Sequence, residues 1–431
     1  MQKKYVLRIK KRTQPGWLVW LLIMLPFLFG VLNDLLGLPW AIRYLLDCAW
    51  FVLLYFLVRY QCVGCIGGMK AIVLWSVVFV AYTFVVYLAQ FQSPLYYLWG
   101  VRNNFRFPVA FFAFAAFLKQ EDVAHYFRIL EKLFWIHIAV SIIQFFGFGI
   151  KQDFLGGIFG SGVGVNGYVN MFFVIIVIKS IIFYLEKLET PVQCFTKCAA
   201  ALAVAAMAEM KFFYVEFIVI MGLSVLFTNF TWRKVWIMAG GLTAVLVGAY
   251  VLAIIFPEYE GFLSIEYLLK TATTSKGYTS SGDLNRLNAI SRISELWLTN
   301  WGQQLFGLGL GNCDTSGFSF INTPFYEMYS DMHYTWRSYA MMYLENGYIG
   351  LVFYYGFFVL IYRAARRMEK HGMGLCVTYC RICRVLAICC IIMSIYNAAL
   401  RTEAAYMAYF ILAIPFILNK HSGNTRKECE A

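Results

Sequence analysis

Hydropathy along the chain alternates between apolar stretches and short polar breaks, with one long polar interruption late in the sequence. A helix that crosses a hydrocarbon layer ~30 Å thick needs about 20 mostly apolar residues. Runs of that kind fall at 17–37, 39–58, 71–90, 104–118, 124–147, 166–185, 193–209, 212–228, 235–256, 339–362, 383–399 and 403–418. The pattern predicts an all-α fold, a polytopic integral membrane helix bundle of about twelve transmembrane helices, forming a single domain over 1–431. The interruption at 257–338 predicts one large extracytoplasmic loop that contains short helices. Inside it, RLNAISRISELWLTNW at 286–301 places Leu287, Ile290, Ile293, Trp297 and Trp301 three and four residues apart, which predicts an amphipathic helix. Arg292 and Glu295 lie off that stripe, close enough to pair. The preceding TATTSKGYTSSGD reads as a loop and a candidate entrance.

Composition agrees with a bilayer protein and excludes an ordinary soluble domain: 61% of residues are hydrophobic, 14% are charged and the mean hydropathy is +0.66. The net charge of +13 would by itself suggest nucleic acid. The cations instead flank apolar runs, with no long basic block after the N-terminal KKRTQ, so they read as orientation in a membrane and no nucleic-acid partner is expected. The N-terminal segment reads as a retained signal anchor. Lys3, Lys4, Arg8, Lys10, Lys11, Arg12, Arg233, Lys234, Arg363, Arg366, Arg367 and Lys370 fall on one side of the predicted topology. The long loop holds only Lys270, Lys276, Arg286, Arg292 and Arg337. The loop is therefore expected to face outward, with both termini cytoplasmic.

Cys62 and Cys65 form a lone CxxC, and Cys376, Cys380 and Cys383 cluster near a late span. No histidine or second close pair completes a tetrahedral set, so neither a metal nor a cofactor is expected. Cys313 is the loop's sole cysteine, which leaves no internal disulfide there.

Candidate chemistry concentrates around the loop. FGLGLG at 306–311 lacks the strand–turn–helix setting of a dinucleotide site and the Gly-Lys-Ser/Thr of a phosphate loop. Its glycines permit close approach of backbone to a ligand, or simply a tight turn between a surface helix and the next loop. His333, with Asp331 and Arg337 nearby, is a candidate general base or a headgroup contact. Arg286, Arg292 and Arg337 suit bidentate phosphate binding at headgroup depth, and also suit plain lipid contact. Ionisable residues inside predicted spans (Asp34, Arg43 with Asp47, Glu209, Lys211, Glu216 and Glu345) are costly in hydrocarbon and point to a polar groove. Arg102, Arg106, and Arg401 with Glu403 would line its rim. In FGSGVGVNGYVN at 159–170, Asn166 and Asn170 are four apart and face one side.

Taken in order, Gly164 and Asn166, then Arg292, Trp297 and FGLGLG, then His333, then LENGYIG with Glu345, Gly347 and Gly350, resemble the bacterial O-antigen ligase and polymerase superfamily. That superfamily includes capsule and exopolysaccharide repeat-unit polymerases. Met210 and Lys211 match its Ser-Arg-Gly-like turn only loosely. Two departures stand out: His333 is followed by Tyr334 where the family has Asn and lies farther than usual from the first span glycine, and Arg286 competes with Arg292 for the loop arginine.

The resemblance implies a metal-independent glycosyltransferase at the outer face of the bacterial plasma membrane. Its donor would be a polyprenyl-pyrophosphate-linked oligosaccharide. His333, Arg292 and Arg286 would be catalytic; Arg337, Arg102, Arg106, Arg401, Asn166, Lys211 and Glu345 would bind substrate. Membrane lipids, a chain-length regulator and a flippase would be its partners. A ligase transferring the glycan to lipid A core or protein would use the same chemistry. A polysaccharide or small-solute transporter is the alternative of another class, and the absence of an internal duplication counts against it. A non-catalytic membrane organiser would have no substrate-sized cavity beneath Arg292.

Overall fold

The computed structural model describes residues 15–30, 32, 36–37, 44, 48–60, 63, 66–162, 164–229, 231–257, 284 and 286–420. Asp34, Arg43, Asp47, Cys62, Cys65, Lys270, Lys276, the N-terminal basic segment and TATTSKGYTSSGD lie outside the described residues.

The described chain is helical. In order it forms α1 (Gly16–Gly30), α2 (Ala49–Tyr60), α3 (Lys70–Ala89), α4 (Pro94–Phe117), α5 (Gln120–Ile142, extended by a π-turn to Gly147), α6 (Asn166–Leu185), α7 (Pro191–Met207), α8 (Lys211–Phe227) and α9 (Trp232–Ile255). Three short helices follow in the loop: α10 (Ala289–Leu296), α11 (Trp301–Phe306) and α12 (Pro324–Tyr329). The chain then closes with α13 (Ser338–His371), α14 (Leu375–Tyr396) and α15 (Ala405–Asn419).

The expected count of about twelve transmembrane helices is corrected. Among the described residues six helices are long and apolar enough to cross a membrane: α3, α5 with its π-turn, α6, α9, α13 and α14. This is the pattern of a membrane-associated protein. Helices α1, α2, α7 and α15 are apolar but shorter. The 15 residues of α15 reach only about 22 Å at 1.5 Å per residue, less than a hydrocarbon core. In α4 the middle carries Arg102, Asn103, Asn104 and Arg106, which breaks the apolar run. Hydropathy cannot separate an outward-facing apolar helix from one buried among other helices, and this fold holds both. In α6, 89% of the most apolar window is buried inside the protein, against 22% in α3. Every residue of α15 from Ala405 to Leu418 is likewise buried, packed along α4 and α14.

The helices bring their polar connections to two ends. At one end Lys420 donates to the Ala116 carbonyl, Arg381 pairs with Glu186 and Glu369, and Arg233 donates to the Tyr184 carbonyl. At the other, α1 ends on the 157–160 turn, α4 meets the glycine run of the loop, and the Ser338 N–H donates to the Asn397 carbonyl. The described part of the loop, 284 and 286–337, sits at this second end.

The predicted amphipathic helix over 286–301 is two helices. Chain direction changes at 297–300, where the Asn300 side chain accepts the Gln303 N–H at 2.9 Å and starts α11. Of the predicted stripe, Ile293 is fully buried and Trp297 packs on Phe325, Tyr329 and Tyr334, but Leu287 and Trp301 are exposed.

Candidate functional site

The glycine-rich run and the predicted acidic span meet as one unit. α13 breaks at Gly347, whose backbone is left-handed at φ 63°. The break frees carbonyls that a continuous helix would use internally. The Leu308 and Gly309 N–H groups donate to the Leu344 and Glu345 carbonyls, both at 2.9 Å, and the Tyr82 hydroxyl donates to the Asn346 carbonyl at 2.8 Å. FGLGLG therefore runs backbone-to-backbone along the broken helix. A Cβ on Gly307 would collide with the Glu345 carbonyl group, and one on Gly347 with that of Leu305. On its far side the run presses on α4, where a Cβ on Gly311 would collide with the Tyr96 carbonyl. This close approach is the reason for glycine here.

Beneath this contact lies a buried ionic clamp. Glu345, 1% exposed, accepts the Cys313 N–H at 3.4 Å. Asp314 accepts from Asn103 and Arg401, each at 2.7 Å. Arg106 pairs with Glu403 at 3.1 Å and also donates to the Arg401 carbonyl at 3.0 Å, while the Tyr168 hydroxyl donates to Glu403 at 2.6 Å. Arg102 donates to Asn103 at 2.6 Å and lies over the rings of Trp99 and Tyr44. Burial first, then the charges of Glu345 and Asp314, hold the Cys313 thiol well above its ordinary value, so it stays a neutral core group. Four predicted rim and groove residues, Arg102, Arg106, Arg401 and Glu345, are thus gathered here, locked to partners.

A second cluster gathers other predicted residues and is more open. Asn166, at the start of α6, donates to the Asp153 carboxylate. Lys211, at the start of α8, pairs with Glu209 at 3.3 Å. The Arg286 guanidinium lies over the Tyr396 ring at 4.4 Å, and Tyr396 stacks on Phe212 at 4.0 Å. The Tyr339 hydroxyl donates to the Arg286 carbonyl, and Arg337, 5% exposed, heads the same helix two residues earlier. Asp153 feels Asn166, Glu209, Lys211 and Arg286. It is open to solvent on one side but crowded on the other, and the loss of hydration, followed by the charge of Glu209, raises its pKa above the usual carboxylate value. The Asn166 hydrogen bond, Arg286 and Lys211 pull the other way.

The remaining two candidates sit elsewhere. Arg292 is half exposed on α10 and pairs with Glu295 at 2.9 Å. His333 takes a left-handed backbone, φ 51°, between two short turns, and its ring stacks on Trp336 at 3.9 Å. Among the described residues no group of three His, Cys, Asp or Glu side chains stands close enough to hold a metal ion. Asp153 and Asp314 were not singled out from the sequence. The only signal for them was scarcity: in a chain with 23 acidic residues, each sits in a glycine-bearing turn beside a flagged motif.

No protein-family model matches the chain, and no curated protein matches it. The resemblance to the O-antigen ligase and polymerase superfamily rests on the residue pattern alone.

Proposed function

We propose that the protein polymerises polyprenyl-pyrophosphate-linked oligosaccharide repeat units at the outer face of a bacterial plasma membrane. The observation that carries this reading is the convergence of Lys211, Arg286, Asn166 and Asp153 on one half-open cluster at the loop end. Lys211 and Arg286 supply the charge-assisted donors that a departing pyrophosphate needs. Phe212, stacked on Tyr396, offers a flat apolar face beside them, suited to a sugar ring, while Tyr396 is held between Phe212 and the Arg286 guanidinium. Asp153, its carboxyl held above the usual range, is the base that takes the proton from the attacking sugar hydroxyl. The bond from the anomeric carbon to the pyrophosphate breaks as the new glycosidic bond forms, and the lipid pyrophosphate leaves against the cations. Both termini would lie on the cytoplasmic side.

The test is purified protein in lipid with polyprenyl-pyrophosphate-linked repeat units as sole substrate. A ladder of lengthened lipid-linked glycans, formed without nucleotide sugar, is the expected result. Folded protein that yields no ladder, but transfers the glycan to an acceptor lipid or carries it across a sealed vesicle, would overturn polymerisation.

A further inference from the structure

We propose a binding site for an anionic phospholipid on the outer face of α13, at the end remote from the loop. One helical face changes character along its length. Tyr348, Val352 and Val359 are 40%, 60% and 37% exposed. The same face continues, at spacings of three, four and seven, into Arg363, Arg366, Arg367 and Lys370, all exposed. These four cations line a shallow concavity of about 270 Å³. Among the described residues no carboxylate pairs with any of them.

Length explains where the change falls. From the Gly347 break to His371 the helix runs about 36 Å at 1.5 Å per residue, against a hydrocarbon core of ~30 Å. The basic end therefore emerges at headgroup depth. The exposed side chains of Met373 in the following turn and Leu375 at the start of α14 suit the same boundary. The flanking face of these turns is fixed: Glu369 pairs with Arg381 at 2.9 Å and with Arg384, Arg381 also pairs with Glu186, and Arg384 donates to the Tyr362 hydroxyl at 3.0 Å. The cations are thus held outward on a rigid support. A phospholipid lying along this face sets its acyl chains on Val352 and Val359 and its phosphate among the arginines, whose planar forks match phosphate oxygens. The site is independent of whatever chemistry occurs at the loop end.

The test is native mass spectrometry of the full-length protein in detergent, titrated with phosphatidylglycerol or phosphatidylcholine. Wild type is expected to bind phosphatidylglycerol at least tenfold more tightly. Arg366→Gln with Arg367→Gln should lose about 25-fold, at about fivefold per cation near a surface, and leave phosphatidylcholine binding unchanged. The double Lys variant, which keeps the charge and loses the planar forks, should fall between wild type and the double Gln variant. Exposed Lys187, at the same end but off the face, serves as control in Lys187→Gln. Unchanged phosphatidylglycerol affinity in the double Gln variant, or an equal loss in the control, would overturn the site. So would efficient disulfide dimers of Arg366→Cys in bilayers, which would assign the face to a second copy.

Discussion

Two polar clusters stand at the loop end and use the same residue types to opposite effect. Around Asp314 and Glu403, the carboxylates are nearly enclosed and meet Arg401 and Arg106 at 2.7 and 3.1 Å. Around Asp153, the groups come from the 153 turn, α6, α8, the loop and α14, and solvent still reaches them. The first cluster fastens the loop to the helices. The second keeps charged and aromatic groups together without enclosing them, which is the state a site for an anionic substrate requires. A count of charged residues along the sequence would have ranked both alike.

The sharpest way to break that comparison is to remove the clamp. Asp314→Ala deprives Asn103 and Arg401 of their shared acceptor and leaves a guanidinium buried. Such a loss costs about 3–5 kcal/mol, expected as a large fall in the thermal unfolding temperature in lipid. Gly307→Ala should cost ~3 kcal/mol by forcing a Cβ against backbone at a left-handed position, read by the same measurement. A melting temperature near wild type in either variant would remove the loop-fastening role.

Protonation sharpens the comparison from the other side. Because Asp153 has a raised pKa in the folded protein, it weighs against stability as pH rises from the ordinary carboxylate range through that raised value, and is neutral below it. As the base it works deprotonated, so the acid limb of kcat/KM should lie above the ordinary value of about 4. Glu209→Gln should move that limb down and Lys211→Met should move it up. A limb that ignores both substitutions would take the proton-accepting role from Asp153. The smallest effect is expected at Arg292→Ala, whose half-exposed pair with Glu295 is worth under ~1 kcal/mol, measured as a melting shift within about 2 °C.

Much of this was legible in the sequence, in a particular way. FGLGLG was marked as a turn able to bring backbone close to a ligand, and Arg292 with Glu295 as a pair; the pair holds in the fold, and the close approach is to the backbone of α13. That the two glycine motifs pack on each other was not legible, because 36 residues separate Gly311 from Gly347 and nothing local records the contact. The helix count went astray for a related reason. α15 is as apolar as a lipid-facing span, but it is short and its apolar surface is spent on neighbouring helices, and periodicity carries no sign of which neighbour is protein and which is lipid. Arg286 and Arg292 likewise look alike in sequence; six residues put one over Tyr396 and the other on an exposed helix face.

That last contrast gives the most direct measurement. Ladder formation from lipid-linked repeat units should be timed for Arg286→Gln and Arg292→Gln at matched, verified folding. The open cluster as the pyrophosphate site predicts a fall of roughly 100-fold or more for Arg286→Gln, the size expected for a lost transition-state donor, with Arg292→Gln close to wild type. The reverse order, with Arg292→Gln inactive and Arg286→Gln unaffected, would contradict it.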